Sequence, residues 1–77
     1  MKVRVHTFAH LRAYAPAGQR HAELTLADGA TVADLFLALR IPATVAAVML
    51  VNGRRADHAT RLNNADEVTL FPPMEGG

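Results

Sequence analysis

Residues 27–42 read ADGATVADLFLALRIP and predict the main helix of the fold. The apolar residues recur at positions i, i+3, i+4 and i+7, which form one stripe on a helix: Val32, Leu35, Phe36 and Leu39. Thr31 precedes the stripe and Asp34 follows three residues later, a variant of the capping box. Pro42 ends the helix, because proline disfavours helical geometry in the residue before it. Such a stripe must be buried against another layer, so we expect a sheet elsewhere in the chain.

The sequence before the helix predicts two strands. Val3 and Val5 alternate with polar residues, and so do Leu24 and Leu26, which gives each strand one buried face. The connection between them, AHLRAYAPAGQR at residues 9–20, is too long for a tight hairpin turn. We expect the two strands to form an antiparallel pair.

The sequence after the helix predicts three more strands. The apolar run at residues 45–51 enters Asn52-Gly53, a strong hairpin signal because a type I′ turn needs a positive φ at both central positions. We therefore expect a short strand near residues 54–57. A turn at residues 63–66 then leads into the last strand, EVTLF at residues 67–71.

Together these elements predict a single α+β domain over residues 1–77. We expect a roll in which a four- or five-stranded mixed sheet packs on one main helix, with the isolated apolar Leu62 filling the core. A chain of 77 residues has no room for a deep substrate cavity. Any chemistry is therefore expected at the surface or in a partner's pocket.

The composition argues against several classes of function. A net charge of +1 without a basic stripe argues against nucleic acid and anionic membranes as partners. The absence of cysteine excludes disulfides, thiolate metal sites and cysteine nucleophiles. No apolar run has the length of a transmembrane helix, and the N-terminal residues do not form a signal segment. We expect a soluble cytoplasmic protein.

The last strand runs into FPPMEGG at residues 71–77. If Val68 and Leu70 face the core, Phe71 must face outward, because successive side chains of a strand point to opposite faces. Phe71 is then either a shielded edge aromatic or an exposed anchor of the kind that dominates protein interfaces.

Residues 72–77 are expected to form an extended, flexible tail. Pro72 and Pro73 donate no backbone hydrogen bond, so the sheet ends there and the chain leaves in an extended direction. Gly76 and Gly77 have no Cβ and can pass through a channel too narrow for any other residue. We interpret the carboxylate of Gly77 as the functional group; an inert tail is the alternative.

A carboxylate must be activated, most simply by adenylation with ATP, before a nucleophile can attack it. An amine then gives an isopeptide bond, and a sulfide equivalent gives a thiocarboxylate. The chain has no thiol and no evident pair of nucleophile and base, so partners must supply the catalysis. We therefore do not expect the chain to be an enzyme by itself.

The histidines do not predict a metal site. His6 and His10 have a spacing that suits a metal on a helix, but they lie on a predicted strand and the loop after it. We interpret all of the histidines as solvated surface residues: His6, His10, His21 and His58.

Two pairs of neighbouring charges have ordinary explanations. Asp66 and Glu67 point to opposite faces of a strand, which favours a turn and a solvated edge over a catalytic pair. Arg54 and Arg55 are equally consistent with a docking patch for a partner and with charges that protect an edge strand from aggregation.

The sequence resembles the ubiquitin-like β-grasp sulfur carriers of the MoaD/ThiS family along its full length. The resemblance is carried by five stretches: FAHLRAYA (8–15), DGATVADL (28–35), VMLVNGRRAD (48–57), LNNADEVTLFPP (62–73) and the closing Gly-Gly. The F-P-P stretch is more typical of the small subunit of molybdopterin synthase than of members from the thiamine pathway. The resemblance implies a ubiquitin-like β-grasp roll with a flexible C-terminal Gly-Gly tail.

The resemblance also implies a role for the tail. A ubiquitin-activating-type enzyme would adenylate Gly77 with ATP, and a sulfur-donor enzyme would convert it to a thiocarboxylate. Gly76 would enter the large subunit of molybdopterin synthase together with Gly77, in a heterotetramer. There the sulfur would pass to a cyclic pyranopterin phosphate, in two transfers per product. The chain itself would bind no cofactor.

The resemblance further implies a set of partner-binding residues. Phe71 and Phe8 match an apolar contact patch, and Arg12 matches a partner-contacting arginine in the F-A-x-x-R motif. Pro72 and Pro73 connect that patch to the tail. Arg55 departs from the family, since molybdopterin members often have an apolar interface residue near this position; here it would pair with acidic groups on a partner.

Three other interpretations stay open at this point. The chain would serve as a sulfur carrier for thiamine thiazole or for tRNA thiolation, as a ubiquitin-like modifier joined to lysines, or as an interaction domain with an inert tail. The first of these shares all of the carrier chemistry and differs only in the acceptor.

Overall fold

The computed structural model describes residues 1–73, which form one five-stranded sheet, one α-helix and two short 3-10 helices. In chain order the strands and the α-helix are β1 (Lys2–Thr7), β2 (His21–Thr25), α1 (Val32–Leu39), β3 (Val48–Val51), β4 (Arg54–Ala56) and β5 (Glu67–Phe71). The α+β roll predicted from the sequence is confirmed. The glycines predicted to react, Gly76 and Gly77, lie outside the described residues.

The sheet is mixed, with the strand order β2-β1-β5-β3-β4. The central pair, β1 and β5, is parallel, and the other three pairs are antiparallel. Two parallel neighbours need a long crossover connection, and α1 lies within it. The arrangement therefore places the single α-helix across one face of the sheet.

The helix begins as its sequence predicts and ends at Leu39, before Pro42. Thr31 and Asp34 form a reciprocal capping box, in which the Asp34 amide donates to the Thr31 hydroxyl (3.4 Å) and the Thr31 amide donates to the Asp34 carboxylate (2.8 Å). Arg40 follows the last turn in the left-handed conformation, with φ 60° and ψ 34°. The predicted apolar stripe is buried in full: Val32, Leu35, Phe36 and Leu39.

The core lies between this stripe and one face of the sheet. The strands supply five of its fully buried or nearly buried residues: Val3, Val5, Met49, Val68 and Leu70. Leu62 is 2% exposed and belongs to the same cluster, as predicted. The Asn52-Gly53 turn also has the predicted form, because both residues have a positive φ (52° and 82°) and link β3 to β4.

The connection from β1 to β2 has more structure than the sequence indicates. It forms 3-10 helices at Ala9–Tyr14 and Pro16–Gly18. Leu11 anchors the first of them in the core with no exposed surface. One buried residue in such a segment produces no periodicity, so sequence patterns give no signal for these turns.

The interpretation of Asp66 as a solvated residue is wrong. Its side chain accepts hydrogen bonds from the Asn52 amide nitrogen (2.8 Å) and from the Asn63 backbone amide (2.7 Å). Asn52 in turn accepts a bond from the Glu67 backbone amide (2.9 Å). Asp66 is only 8% exposed because it joins the β3–β4 turn to the start of β5.

Candidate functional site

The candidate site lies on the outer face, by which we mean the face of the sheet opposite α1. On β5, Val68 and Leu70 face the core, so Phe71 lies on the outer face as predicted. The strand register places Val48 of β3 beside Phe71, and Leu50 beside Thr69. Three apolar side chains therefore share this part of the sheet, and each is half-buried.

Phe8 extends the same apolar surface. It follows β1 directly, and its backbone amide donates to the Leu70 carbonyl (3.0 Å), which continues the parallel pairing beyond Thr7. This register places Phe8 next to Phe71. Phe8 is 39% exposed, more than the half-buried Phe71. We call Phe8, Val48, Leu50 and Phe71 the outer patch.

The outer patch combines residues that the sequence predicted with two that it missed. Phe8 and Phe71 were predicted, and they directly follow Thr7 and Leu70, which are partners in the parallel pairing of β1 and β5. Val48 and Leu50 belong to an apolar run whose two faces cannot be told apart without the register of β3 against β5. That register is the only signal that assigns them to the outer face.

Arg55 lies at the edge of the outer patch. It pairs with Leu50 in the β3–β4 register and is exposed. Within residues 1–73 it forms no ion pair, unlike Arg4 on the same face of the sheet, which lies 3.6 Å from Glu67. The outer patch therefore has one positive charge at its β4 side that no described carboxylate neutralises.

The other predicted partner-binding residues lie at the ends of the segments that leave the sheet. Arg12 is exposed on the 3-10 helix that follows Phe8. Pro72 is half-buried and Pro73 is exposed directly after β5, where strand pairing stops. Their roles in partner binding stay predictions.

His10 and His21 are exposed as expected, whereas His6 and His58 are half-buried. His6 and His21 face each other across β1 and β2, with their Nδ1 atoms 2.6 Å apart. His58 packs edge-on against Phe36, with ring centroids 4.6 Å apart. The sequence analysis considered only the spacing of His6 and His10 along the chain, whereas side chains on paired strands meet across the register.

The described residues contain no arrangement typical of an active site. Within residues 1–73, no group of three or more histidine, aspartate or glutamate side chains converges on a position for a metal ion. The most buried carboxylate, Asp66, already accepts two hydrogen bonds. No helix in the same part of the chain is both long and apolar enough to cross a bilayer. The outer face is suited to binding another protein.

Comparison with known proteins assigns this architecture to a family. The model of the ThiS family matches residues 5–77. No curated protein sequence matches the chain.

Three solved structures have the same fold. A protein described as molybdopterin converting factor, subunit 1, from Pyrococcus furiosus is 28% identical, with a TM-score of 0.79 over 96% of this chain and 99% of that one. SAMP1 from Haloferax volcanii is 27% identical, with a TM-score of 0.76 over 100% of both chains. A chain from a complex of subunits 1 and 2 of molybdopterin-converting factor from Helicobacter pylori 26695 is 19% identical, with a TM-score of 0.69 over 100% of both chains, and supports the fold alone.

Proposed function

Because the chain belongs to the ThiS family, we propose that it carries sulfur as a thiocarboxylate on Gly77 and acts as the small subunit of molybdopterin synthase. At the level of the family, the chain is a ubiquitin-like sulfur carrier or modifier of the ThiS/MoaD type. Beyond the family, we propose the acceptor of the sulfur, the partner proteins and the atom that reacts.

The proposed chemistry has two steps. The carboxylate of Gly77 attacks the α-phosphate of ATP, which forms an acyl adenylate and releases pyrophosphate. A sulfide equivalent then attacks the acyl carbon and displaces AMP, which leaves a thiocarboxylate. An adenylating enzyme and a sulfur-donor enzyme supply the catalytic groups, and the sulfur passes to a cyclic pyranopterin phosphate in the large synthase subunit, within a heterotetramer.

The observation that carries the proposal is the position of the outer patch. Phe71 belongs to the patch and directly precedes residues 72–77, the segment that contains both glycines. A partner that binds the patch is therefore held next to the segment that reacts. Binding energy from a remote surface can position a reacting group in this way.

The proposal is tested by the intact mass of the protein from its own cells, prepared under mild, non-reducing conditions. The expected result is a fraction heavier by the exchange of one oxygen for sulfur, and fragmentation is expected to place that exchange on Gly77. Incubation of this fraction with purified synthase large subunit and cyclic pyranopterin phosphate should remove the added sulfur. Sulfur found on another residue, or retained under these conditions, would contradict the proposal.

A second candidate is a protein modifier, which the similarity to SAMP1 favours, since that protein's name denotes a small archaeal modifier protein. The activated carboxyl group of Gly77 would then form an amide with a lysine amine and release AMP. Digestion of cell extracts and mass spectrometry distinguish the two functions. Lysines linked to Gly77 support the modifier, whereas a thiocarboxylate that is consumed by the large subunit supports the carrier.

Phe71→Ala is expected to weaken binding to the large subunit by about 2 kcal/mol or more, because a buried aromatic anchor commonly contributes that much to an interface. Its effect on folding should be smaller, since Phe71 is only half-buried and lies outside the core. Calorimetric titration measures the binding, and thermal unfolding measures the stability.

The matched control is Leu70→Ala, at the neighbouring residue. Leu70 has no exposed surface, and its loss should lower the free energy of unfolding by about 2–5 kcal/mol. The two substitutions should therefore separate binding from folding. If Phe71→Ala lowers the free energy of unfolding as much as Leu70→Ala does, and the folded variant binds normally, the outer patch is not the docking surface.

A further inference from the structure

Two histidines meet on the outer face, on strands β1 and β2, at the end of the sheet opposite β4. His6 on β1 and His21 on the edge strand β2 are direct partners in the antiparallel register. Their Nδ1 atoms are 2.6 Å apart, and their rings meet edge to face with centroids separated by 4.8 Å. At this distance one Nδ1 must donate a proton to the lone pair of the other.

Glu67 lies beside the other nitrogen of His6. Its carboxylate lies 3.8 Å from Nε2 of His6, on the side of the ring that faces away from His21. The negative charge favours a proton on Nε2 of His6, which leaves the Nδ1 lone pair free to accept from His21. Metal-binding histidines commonly donate their second ring N–H to a carboxylate; Glu67 lies on that side of His6, beyond hydrogen-bond distance.

We propose that His6 and His21 bind one divalent transition-metal ion, such as Zn²⁺, through their Nδ1 atoms. Zn–N bonds of about 2.0–2.1 Å in tetrahedral geometry separate the two nitrogens by about 3.3 Å. The rings therefore need to move apart by less than 1 Å, roughly the movement that small side-chain rotations allow. His21 loses its Nδ1 proton and its Nε2 carries one instead, so both rings bind as neutral imidazoles.

The surroundings leave room for the remaining ligands. A cavity of about 300 Å³ adjoins the pair and is lined by Arg4, His6, His21, Ala22 and Glu23. Glu23 lies two residues after His21 on the same face of β2, but its carboxylate is paired with Lys2 and is not one of the proposed ligands. Water molecules complete the coordination.

Nearby charges neither favour nor oppose a cation strongly. Arg4 lies 3.6 Å from Glu67, and Lys2 lies 3.7 Å from Glu23, so each cation is paired with a carboxylate. With two imidazoles as its secure ligands, the site should bind Zn²⁺ more weakly than a structural site with four protein ligands. The proposal departs from the sequence-based expectation of no metal, which rested on the positions of His6 and His10 and on the lack of a cysteine or close carboxylate to complete a site.

Titration of the whole protein with Zn²⁺, monitored by isothermal titration calorimetry, tests the site. The intact chain should bind one Zn²⁺ at the pair, and His21→Ala should weaken that binding by about 100-fold, because the second imidazole binds intramolecularly once the first has bound. His6→Gln should have a similar effect. His10→Ala is the matched control, since His10 is exposed and has no histidine neighbour among the described residues, and it should bind as the intact chain does.

Nitrogen-15 spectra of the imidazoles identify the binding atoms. Zn²⁺ should shift Nδ1 of both His6 and His21 and leave His10 unchanged. An intact chain that binds no Zn²⁺, an equal loss of binding in His10→Ala, or unchanged binding in His21→Ala would overturn the proposal. His21 is exposed on an edge strand, so its substitution leaves the fold intact, and thermal unfolding verifies this for each variant. The test is independent of sulfur transfer.

Discussion

A chain that lacks Gly77 is expected to form no thiocarboxylate, while its thermal unfolding midpoint stays the same as that of the intact protein. The proposed chemistry needs the carboxylate of Gly77 itself, so its removal should abolish the sulfur-bearing fraction. The core of the described residues extends only to Leu70, and none of its members lies in residues 71–73. Intact mass from the protein's own cells measures the first effect, and calorimetric melting measures the second.

Met74→Ala is the matched control for this deletion, because it changes the same segment and keeps both glycines. It should be converted to the thiocarboxylate as the intact chain is. Sulfur carried by the chain without Gly77 would contradict the carrier mechanism. A large fall in its melting temperature would instead show that the last residue contributes to the fold.

Elements with a local pattern were predictable from the sequence. The helix was predictable because its stripe, its capping box and the proline after it all agree over residues 31–42. The β3–β4 turn was predictable because few dipeptides adopt a positive φ at two successive residues. The outward position of Phe71 followed from the strict alternation of a strand.

Features that depend on contacts between distant residues were not predictable. The His6–His21 pair forms between residues 15 positions apart, and only the register of β1 against β2 brings them together. The same holds for Val48 and Leu50, which a shift of one residue in β3 would place in the core. A single sequence without pairing information contains no record of either register.

The uncompensated charge of Arg55 narrows the expected partner of the outer patch. Val48, Leu50 and Phe71 offer apolar contact, and Arg55 adds one cation beside Leu50 that no described carboxylate neutralises. An interface that buries such a charge without a counterion loses free energy. The partner surface should therefore have an apolar centre and, where it lies against β4, a carboxylate that pairs with Arg55.

Asp66→Ala is expected to lower the free energy of unfolding by about 3 kcal/mol, because it removes two hydrogen bonds to a buried carboxylate. The substitution leaves the Asn52 side chain and the Asn63 amide without their acceptor. For a domain of this size, the melting temperature should fall by roughly 12–24 °C. Chemical denaturation provides the free energy, and thermal unfolding provides the midpoint.

Asp57→Ala separates burial from the number of hydrogen bonds. The Asp57 carboxylate also accepts two bonds, from the Ala59 amide (2.9 Å) and the Thr60 hydroxyl (3.2 Å), but Asp57 is exposed whereas Asp66 is 8% exposed. Water can replace the bonds that Asp57 loses, so this variant should be destabilised by only about 1 kcal/mol. Equal losses in the two variants would mean that local turn geometry, and not the buried link between the β3–β4 turn and β5, accounts for the contribution of Asp66.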